Sequence, residues 1–209
     1  MPRRVVVTGM GIVSCMGSGL GANWEGVTSG RSGIGPITLF DASDHQTRIA
    51  GEVRGCFDPK EYIPLKQLRR MDRYQQFAMV AACEAMEDSG LPYPPADPFR
   101  SAVIIGSGMG GLQTIEDGAK IVNQRGPKGA KPLLIPMAVI NLCAGILSIK
   151  FGFKGPNFGV VNACTSGTSA IGEAYRLLAE GRADVALTGG AEAVITPLSL
   201  AGFNALRAL

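Results

Sequence analysis

The sequence has a single histidine and no pair of cysteines in the CxxC spacing. Because zinc sites are built from clusters of cysteine and histidine, these shortages argue against a zinc protein, and we expect no bound metal. Apolar runs are interrupted by glycine, proline or charge well before about 18 residues. The sequence therefore predicts neither a membrane span nor a signal peptide.

The sequence also lacks a large excess or a long run of charges of one sign. Twenty basic and seventeen acidic side chains give a net charge of +3, and no five like charges follow one another. This balance excludes a dedicated nucleic-acid binder and a polybasic membrane anchor. The five cysteines are odd in number and stand in apolar or glycine-rich surroundings, which is typical of reduced thiols and predicts a cytoplasmic protein.

Glycine is abundant, with 29 in 209 residues against a usual share of roughly 7%. Several of these glycines close short apolar runs, which we predict to be strands at 4–8, 101–105, 159–162 and 184–188. Continuous rather than alternating apolar runs indicate a sheet buried on both faces. The sequence thus predicts a layered α/β domain with a mostly parallel sheet.

Helical periodicity lies between these strands. We predict helices at 71–89, 137–151 and 166–180, each followed by a glycine. Residues 126–132 combine glycine, proline and lysine, which predicts an exposed loop or a partner-contact arm. No domain boundary is evident within residues 1–209, and the chain ends on a helical pattern, GFNALRAL, as if cut.

The segment VVNACTSGTSA places Cys164 between a short strand and a helix that begins with small hydroxyl residues. Unpaired N–H groups and the dipole at a helix N-terminus favour a thiolate there and can stabilise an oxyanion. The sequence alone leaves two interpretations open for Cys164, a nucleophile or a small buried apolar residue. The other cysteines lack this setting and are predicted to be packing residues; they are Cys15, Cys56, Cys83 and Cys143.

A nucleophilic cysteine needs a base, yet the lone histidine, His45, stands in the polar loop FDASDHQTR far from Cys164 in sequence. We interpret His45 as an ordinary loop residue. Residues 106–111, GSGMGG, match the G-x-G-x-x-G spacing of dinucleotide-binding turns, but no acidic residue follows at the expected distance. A glycine-rich turn that points Met109 into an apolar pocket is the favoured interpretation.

Basic residues cluster before the helix at 71–89. Lys66, Arg69, Arg70 and Arg73 would share one face if the segment were helical, with Lys60 nearby. Two interpretations stand here: a solvated face, or a docking site for an acidic partner.

Eight segments in order carry a resemblance to a known family: VVVTGMGIVSCMG, FDASDHQTRIAGEV, MDRYQQFAMVAACEAMEDSG, IGSGMGG, LLIPMAVINLCAG, VNACTSGTSAIGEA, LTGGAEA and GFNALRAL. Together they resemble the elongating β-ketoacyl-[acyl-carrier-protein] synthases, the synthase II type of condensing enzyme. The resemblance extends over residues 4–208 and matches the N-terminal half of that family. It implies the N-terminal half of a thiolase-like fold, which is layered α-β-α-β-α when complete.

The resemblance also implies roles for individual residues. Cys164 is implied as the acyl-accepting nucleophile and as one oxyanion-hole N–H. Met109 and Phe203 match acyl-pocket or gating positions, and Ile135 resembles a residue that closes the pocket of the other subunit in a homodimer. The basic residues implied to dock the acidic acyl carrier protein are Lys66, Arg69, Arg70 and Arg207. No cofactor is implied.

Two histidines, a lysine and a second oxyanion N–H of the family have no counterpart in residues 1–209. We therefore expect this chain alone to be inactive in condensation, and to be poorly soluble or to pair with the missing half. The alternative functions are a non-catalytic half-protein, a partner resembling a chain-length factor, and a dinucleotide-dependent oxidoreductase. Cys164 argues against the chain-length factor, and the oxidoreductase rests only on the glycine-rich turn.

Overall fold

The computed structural model describes residues 3–55 and 57–209. Short strands come first in the chain and longer ones later. They are β1 (Val13–Ser14), β2 (Gly17–Ser18), β3 (Gly35–Pro36), β4 (Ile49–Ala50), β5 (Ser101–Gly106), β6 (Asn157–Val160) and β7 (Val185–Gly190). Helices separate them: α1 (Leu20–Thr28), α2 (Leu65–Leu68), α3 (Arg73–Ser89), α4 (Leu112–Arg125), α5 (Leu134–Ala138), α6 (Asn141–Phe151), α7 (Ser166–Ala179) and α8 (Pro197–Ala205).

The central sheet is parallel, with β5 between β6 and β7. All six residues of β5 are buried. Val103 and Ile105 face a core built mainly from α3 and α6, whereas Ala102 and Ile104 face α7. Because side chains alternate across a strand, this division places helices on both faces of the sheet. The predicted α/β fold with a parallel sheet is confirmed, and its central strand β5 is fully buried, whereas β6 and β7 are mostly half-buried.

The two remaining strand pairs, β1 with β2 and β3 with β4, are short and antiparallel. They precede α3 in the chain and lie outside the central sheet.

The strand predicted at 4–8 is wrong. Residues 3–9 run beside residues 183–187 across a cavity of about 390 Å³, and no strand is formed there. The following N–H groups of Met10 and Ile12 donate instead to Asp88 and Glu84 of α3, at 2.9 and 3.0 Å. A β-branched run becomes a strand only where a neighbouring edge meets its backbone groups, and here the adjoining backbone packs on α3 instead.

The helix predicted at 137–151 is divided in two. Val139 has an extended backbone with φ −77° and ψ 137°, and its carbonyl accepts a hydrogen bond from the Tyr74 hydroxyl at 2.9 Å. α5 therefore ends at Ala138 and α6 begins at Asn141. The other two predicted helices are confirmed to within two residues as α3 and α7.

Smaller differences affect the strands and loops. β6 begins and ends two residues earlier than predicted, because Asn162 already belongs to the turn before α7. Residues 126–132 form a largely exposed connection that includes a 3₁₀ turn at Pro127–Gly129, in agreement with the prediction of a loop.

Candidate functional site

Cys164 is exposed on a sharp turn between β6 and α7. The preceding residue, Ala163, has φ 47°, a left-handed conformation that a residue with a side chain adopts at a cost. Such strain is retained where the surrounding structure enforces it, and functional sites are where it concentrates. The turn presents the Cys164 side chain beside the first turn of a 14-residue helix.

Short polar side chains enforce this turn. The Asn162 carbonyl accepts from both the N–H and the hydroxyl of Thr165, at 3.0 and 2.7 Å. The Ala163 carbonyl accepts in the same way from Ser166, at 3.1 and 2.7 Å. The Ser166 hydroxyl accepts from the Asn162 N–H at 2.9 Å, which closes the turn on itself. The small hydroxyl residues after Cys164 thus hold its backbone in place.

The Cys164 turn lies at the positive end of the α7 helix dipole. The first N–H groups of a helix have no intrahelical acceptor, and the aligned peptide dipoles make that end positive. A carbonyl oxygen that becomes negative beside Cys164 can be stabilised by these N–H groups. This arrangement can support nucleophilic attack on an acyl group.

Three glycines allow the turn to sit against the sheet. They lie at the end of β5, near the start of α7 and at the end of β7: Gly106, Gly167 and Gly190. A Cβ at Gly106 would overlap the Ser166 carbonyl group, and a Cβ at Gly190 would lie 2.7 Å from the Gly167 Cα. Close approach of backbone to backbone therefore fixes the base of the Cys164 turn.

The glycine-rich turn after β5 is the second wall of the site. A Cβ at Gly108 would lie 3.4 Å from the Ala163 carbonyl oxygen, so this turn touches the residue before Cys164. Glu192 holds the turn: its carboxylate accepts from the Ser107 hydroxyl at 2.9 Å, the Gly108 N–H at 2.6 Å and the Met109 N–H at 3.3 Å. A carboxylate of the chain occupies the donors that a bound phosphate would need, which argues against a dinucleotide site.

We expect Glu192→Gln to destabilise the protein by about 1–2 kcal/mol, because an amide nitrogen must then face one of the three donors. Chemical denaturation of the variant and the parent measures this. Glu173→Gln is the matched control, since Glu173 makes only an exposed pair with Arg176 and should change stability by less than about 0.5 kcal/mol. Equal effects of the two substitutions would contradict the role given to Glu192.

The residues predicted to line an acyl pocket lie on three elements. Met109, 40% exposed, stands on the glycine-rich turn beside the Cys164 turn. Ile135 is 64% exposed in α5, and Phe203 is half-buried in α8. The structure thus places Met109 next to Gly108, which lies beside the residue before Cys164, while the pocket roles of Met109, Ile135 and Phe203 stay predictions.

The basic cluster is not one helical face. α2 ends at Leu68 and α3 begins at Arg73, so the residues between them break the helix. Arg73 turns inward, where its guanidinium lies 5.0 Å from the Phe77 ring centre and donates to the Val53 carbonyl. Lys66, Arg69 and Arg70 are exposed, and Arg207 is exposed beyond the end of α8.

The remaining described cysteines are Cys15, which is half-buried, and Cys83 and Cys143, which are buried. Burial raises the pKa of the Cys83 thiol and raises that of Cys143 to about 12. Packing roles are confirmed for Cys83 and Cys143, whereas Cys56 lies outside the described residues. His45 packs edge-on against Phe40, and no cluster of metal-ligating side chains occurs in residues 3–55 and 57–209.

These thiols should differ sharply in reactivity. With iodoacetamide at about pH 7–9, Cys164 should be alkylated at least about 100-fold faster than Cys83 or Cys143, because the buried thiols stay protonated and inaccessible. Time-resolved peptide mass spectrometry measures the rates, and labelling after denaturation is the control. Alkylation of Cys143 in the folded protein as fast as Cys164 would contradict the structure.

The site contains residues that sequence reasoning did not identify. Glu192 follows Gly189-Gly190 at the end of β7, and acidic residues at the ends of parallel strands are a signal that could have found it. The left-handed backbone of Ala163 has no such signal, because alanine rarely adopts it and it depends on the hydrogen bonds around it.

Fold and site together define an α/β protein with an exposed cysteine at a strand–helix turn. Comparison with known proteins identifies the family within this class. The model of the family "Beta-ketoacyl synthase, N-terminal domain" matches residues 2–209. The chain belongs to this family.

Among curated relatives, 3-oxoacyl-[acyl-carrier-protein] synthase 2 of Coxiella burnetii is 46% identical over 207 residues, and that of Synechocystis sp. is 44% identical. Each alignment covers 99% of this chain and 50% of the relative, so the chain spans about half the length of these proteins.

Solved structures agree. The ishigamide ketosynthase/chain length factor matches with a TM-score of 0.90 and 29% identity, over 100% of this chain and 52% of that one. A beta-ketoacyl synthase from Burkholderia phymatum matches at 0.84 and 28%, over 99% and 50%. The thiolase-like ketosynthase fold predicted for this half is therefore confirmed. No helix in the described part of the chain is long and apolar enough to cross a membrane.

Proposed function

We propose that residues 1–209 are the nucleophile-bearing, N-terminal thiolase-like domain of a 3-oxoacyl-[acyl-carrier-protein] synthase. The observation that carries this proposal is the exposed Cys164 on a strained turn at the N-terminus of α7. Family membership and relatives named 3-oxoacyl-[acyl-carrier-protein] synthase 2 support it.

In the first step, the Cys164 sulfur attacks the carbonyl carbon of an acyl thioester on the carrier protein. The carbonyl oxygen becomes negative, and the N–H of Cys164 is one donor to it. The bond to the carrier's thiol then breaks, the thiol leaves with a proton, and the acyl group stays on Cys164.

In the second step, a malonyl group on the carrier protein loses carbon dioxide, and the electron pair left on its α-carbon attacks the acyl carbonyl. The carbon–sulfur bond to Cys164 breaks, and a 3-oxoacyl chain two carbons longer results. His45, the one histidine in this sequence, packs on Phe40 in a loop, so the groups that assist decarboxylation must come from outside residues 1–209. No cofactor is needed for either step.

The test is turnover by the purified full-length protein that contains residues 1–209, given acyl and malonyl carrier protein. Mass spectrometry of the carrier should show a 3-oxoacyl chain together with release of carbon dioxide. The alternative, a non-catalytic partner resembling a chain-length factor, has support in the neighbour that contains such a factor. Condensation without acylation of Cys164, or no acylation at all, would favour that partner, whereas acylated Cys164 without any condensation product would favour the other alternative, a non-catalytic half-protein.

The partner in this proposal is acyl carrier protein, which is acidic. A solved neighbour at 28% identity is a ketosynthase in complex with its acyl-carrier protein. The exposed bases Lys66, Arg69 and Arg70 follow or lie in α2 and offer a complementary surface, with Arg207 as a further candidate. We also propose a homodimer in which Ile135 reaches the partner's pocket, and a cytoplasmic location, which suits the unpaired cysteines.

Charge reversal to glutamate at Lys66, Arg69 and Arg70 should slow acylation of Cys164 from acyl carrier protein by about 10-fold or more. Acylation from a small acyl thioester should change little, and the difference should shrink as salt screens the charges. Reversal of three bases elsewhere, at Lys120, Arg176 and Arg182, is the matched control. Equal slowing with both acyl donors would remove the docking role.

A further inference from the structure

The carboxylate of Asp72 joins two helices in the interior. Asp72 is 3% exposed and caps α3, where its Oδ1 accepts from the Tyr74 N–H at 3.2 Å. Its Oδ2 accepts from both the N–H and the hydroxyl of Thr114 in the first turn of α4, at 3.1 and 2.6 Å. One buried side chain therefore satisfies orphan donors at the N-termini of α3 and α4.

The next residues of α3 extend this contact to α5. Gln75 accepts from the Asp72 N–H at 3.1 Å and donates to the Pro136 carbonyl at 3.2 Å. The Tyr74 hydroxyl donates to the Val139 carbonyl at 2.9 Å. Carbonyls at the end of a helix lack intrahelical donors, so these two side chains replace the missing partners.

The glycine-rich turn holds α5 from the other side. The Gly111 N–H donates to the Ala138 carbonyl at 3.0 Å. A Cβ at Gly110 would lie 2.7 Å from that same oxygen, so the turn and the end of α5 are in direct backbone contact. Met109 stands one residue before this contact, and Ile135 stands three residues before Ala138.

The two candidate pocket residues, Met109 and Ile135, thus lie in backbone segments that are held together by these hydrogen bonds. We propose that the Asp72 network, defined as Asp72, Tyr74, Gln75 and Thr114, is a positioning device that sets acyl-chain-length selectivity by fixing the Met109 turn against α5. This proposal rests on the proposed function. In the proposed homodimer Met109 lines this subunit's pocket and Ile135 reaches the partner's, so the network fixes one wall of each pocket. A rigid wall rejects chains of the wrong length, whereas a loosened wall accommodates them.

Tyr74→Phe tests the proposal, because it keeps the ring in the core and removes the hydroxyl that holds Val139. The rate of Cys164 acylation is measured for a series of saturated acyl-CoA thioesters, from butyryl to stearoyl. We expect the ratio of rates for the preferred and the longest chains to fall about fivefold, the effect of losing one hydrogen bond of ordinary strength. Tyr93→Phe is the matched control, since Tyr93 contacts Phe151 through its ring.

A second pair of variants separates positioning from general stability. Thr114→Val removes the hydroxyl donor to Asp72 and should lower selectivity similarly, whereas Thr114→Ser keeps the donor and should restore it. If the network had only a structural role, the variants would slow Cys164 acylation equally for all chain lengths. The ratio of acylation rates would then be unchanged, and this result would overturn the proposal. If the parent protein is never acylated at Cys164, the proposed function fails and this inference falls with it.

Discussion

Replacing Cys164 by serine is expected to abolish acyl-enzyme formation while leaving the fold intact. A serine hydroxyl at the N-terminus of α7 has no thiolate character, and the described part of the chain places no histidine beside it to act as a base. The rate of acylation should fall by about three orders of magnitude or more. Intact-mass spectrometry after incubation with a long-chain acyl thioester measures it.

The control for this prediction is a second cysteine. Cys15→Ser changes another unpaired thiol, half-buried and far along the chain from the turn, and should leave acylation unchanged. Thermal unfolding of both variants should occur close to that of the parent, since Cys164 is exposed and serine is similar in size. Normal acyl loading of Cys164→Ser would show that the nucleophile lies elsewhere.

Gly106→Ala is expected to have the largest effect on stability, about 3 kcal/mol or more. The added methyl group would overlap the Ser166 carbonyl, and backbone on both sides leaves no flexible side chain to move away. Because Ser166 also closes the Cys164 turn, acylation should fall with stability. Denaturant unfolding gives the free-energy change, and acylation of the remaining folded protein gives the effect on the site.

Gly172→Ala in α7 is the matched control. A Cβ at Gly172 meets no heavy atom within 4 Å, so alanine should be neutral or should stabilise α7 by about 0.5–1 kcal/mol through its higher helix propensity. If Gly106→Ala were as stable as Gly172→Ala, the close packing of the three glycines beneath Cys164 would be refuted.

The main elements were predictable because their signals are local. Buried strands such as β5 have continuous apolar sequences. The helix α3 is preceded by an aspartate N-cap and ends at Gly90, which has φ 63°. Cys164 was identifiable because a strand followed by small hydroxyl residues defines its turn. These features depend on neighbours in sequence.

The errors have tertiary causes. The apolar run at 4–8 has the composition of a strand, yet Asp88 and Glu84 take the N–H groups that follow it. The break between α5 and α6 depends on Tyr74, which lies 65 positions earlier. The carboxylate of Glu192 reaches the Gly108 N–H, 84 positions earlier. Contacts between residues so distant in sequence leave no periodic pattern.

The resemblance to a family implied roles for individual residues that the residue pattern alone did not determine. Local physics left Cys164 open between nucleophile and packing residue, and its exposure in the structure now excludes the buried interpretation. The roles of Cys164 and of the other predicted site residues still rest on that resemblance, since exposure alone does not assign a function.

The most direct test of the account is to locate the acyl adduct. The purified protein is incubated with a long-chain acyl thioester, digested and mapped by mass spectrometry. We predict a single adduct on the peptide that contains Cys164, joined through a thioester that hydroxylamine removes. No adduct, or an adduct on Cys15 or another cysteine with Cys164 unmodified, would contradict the claim that this turn carries the nucleophile.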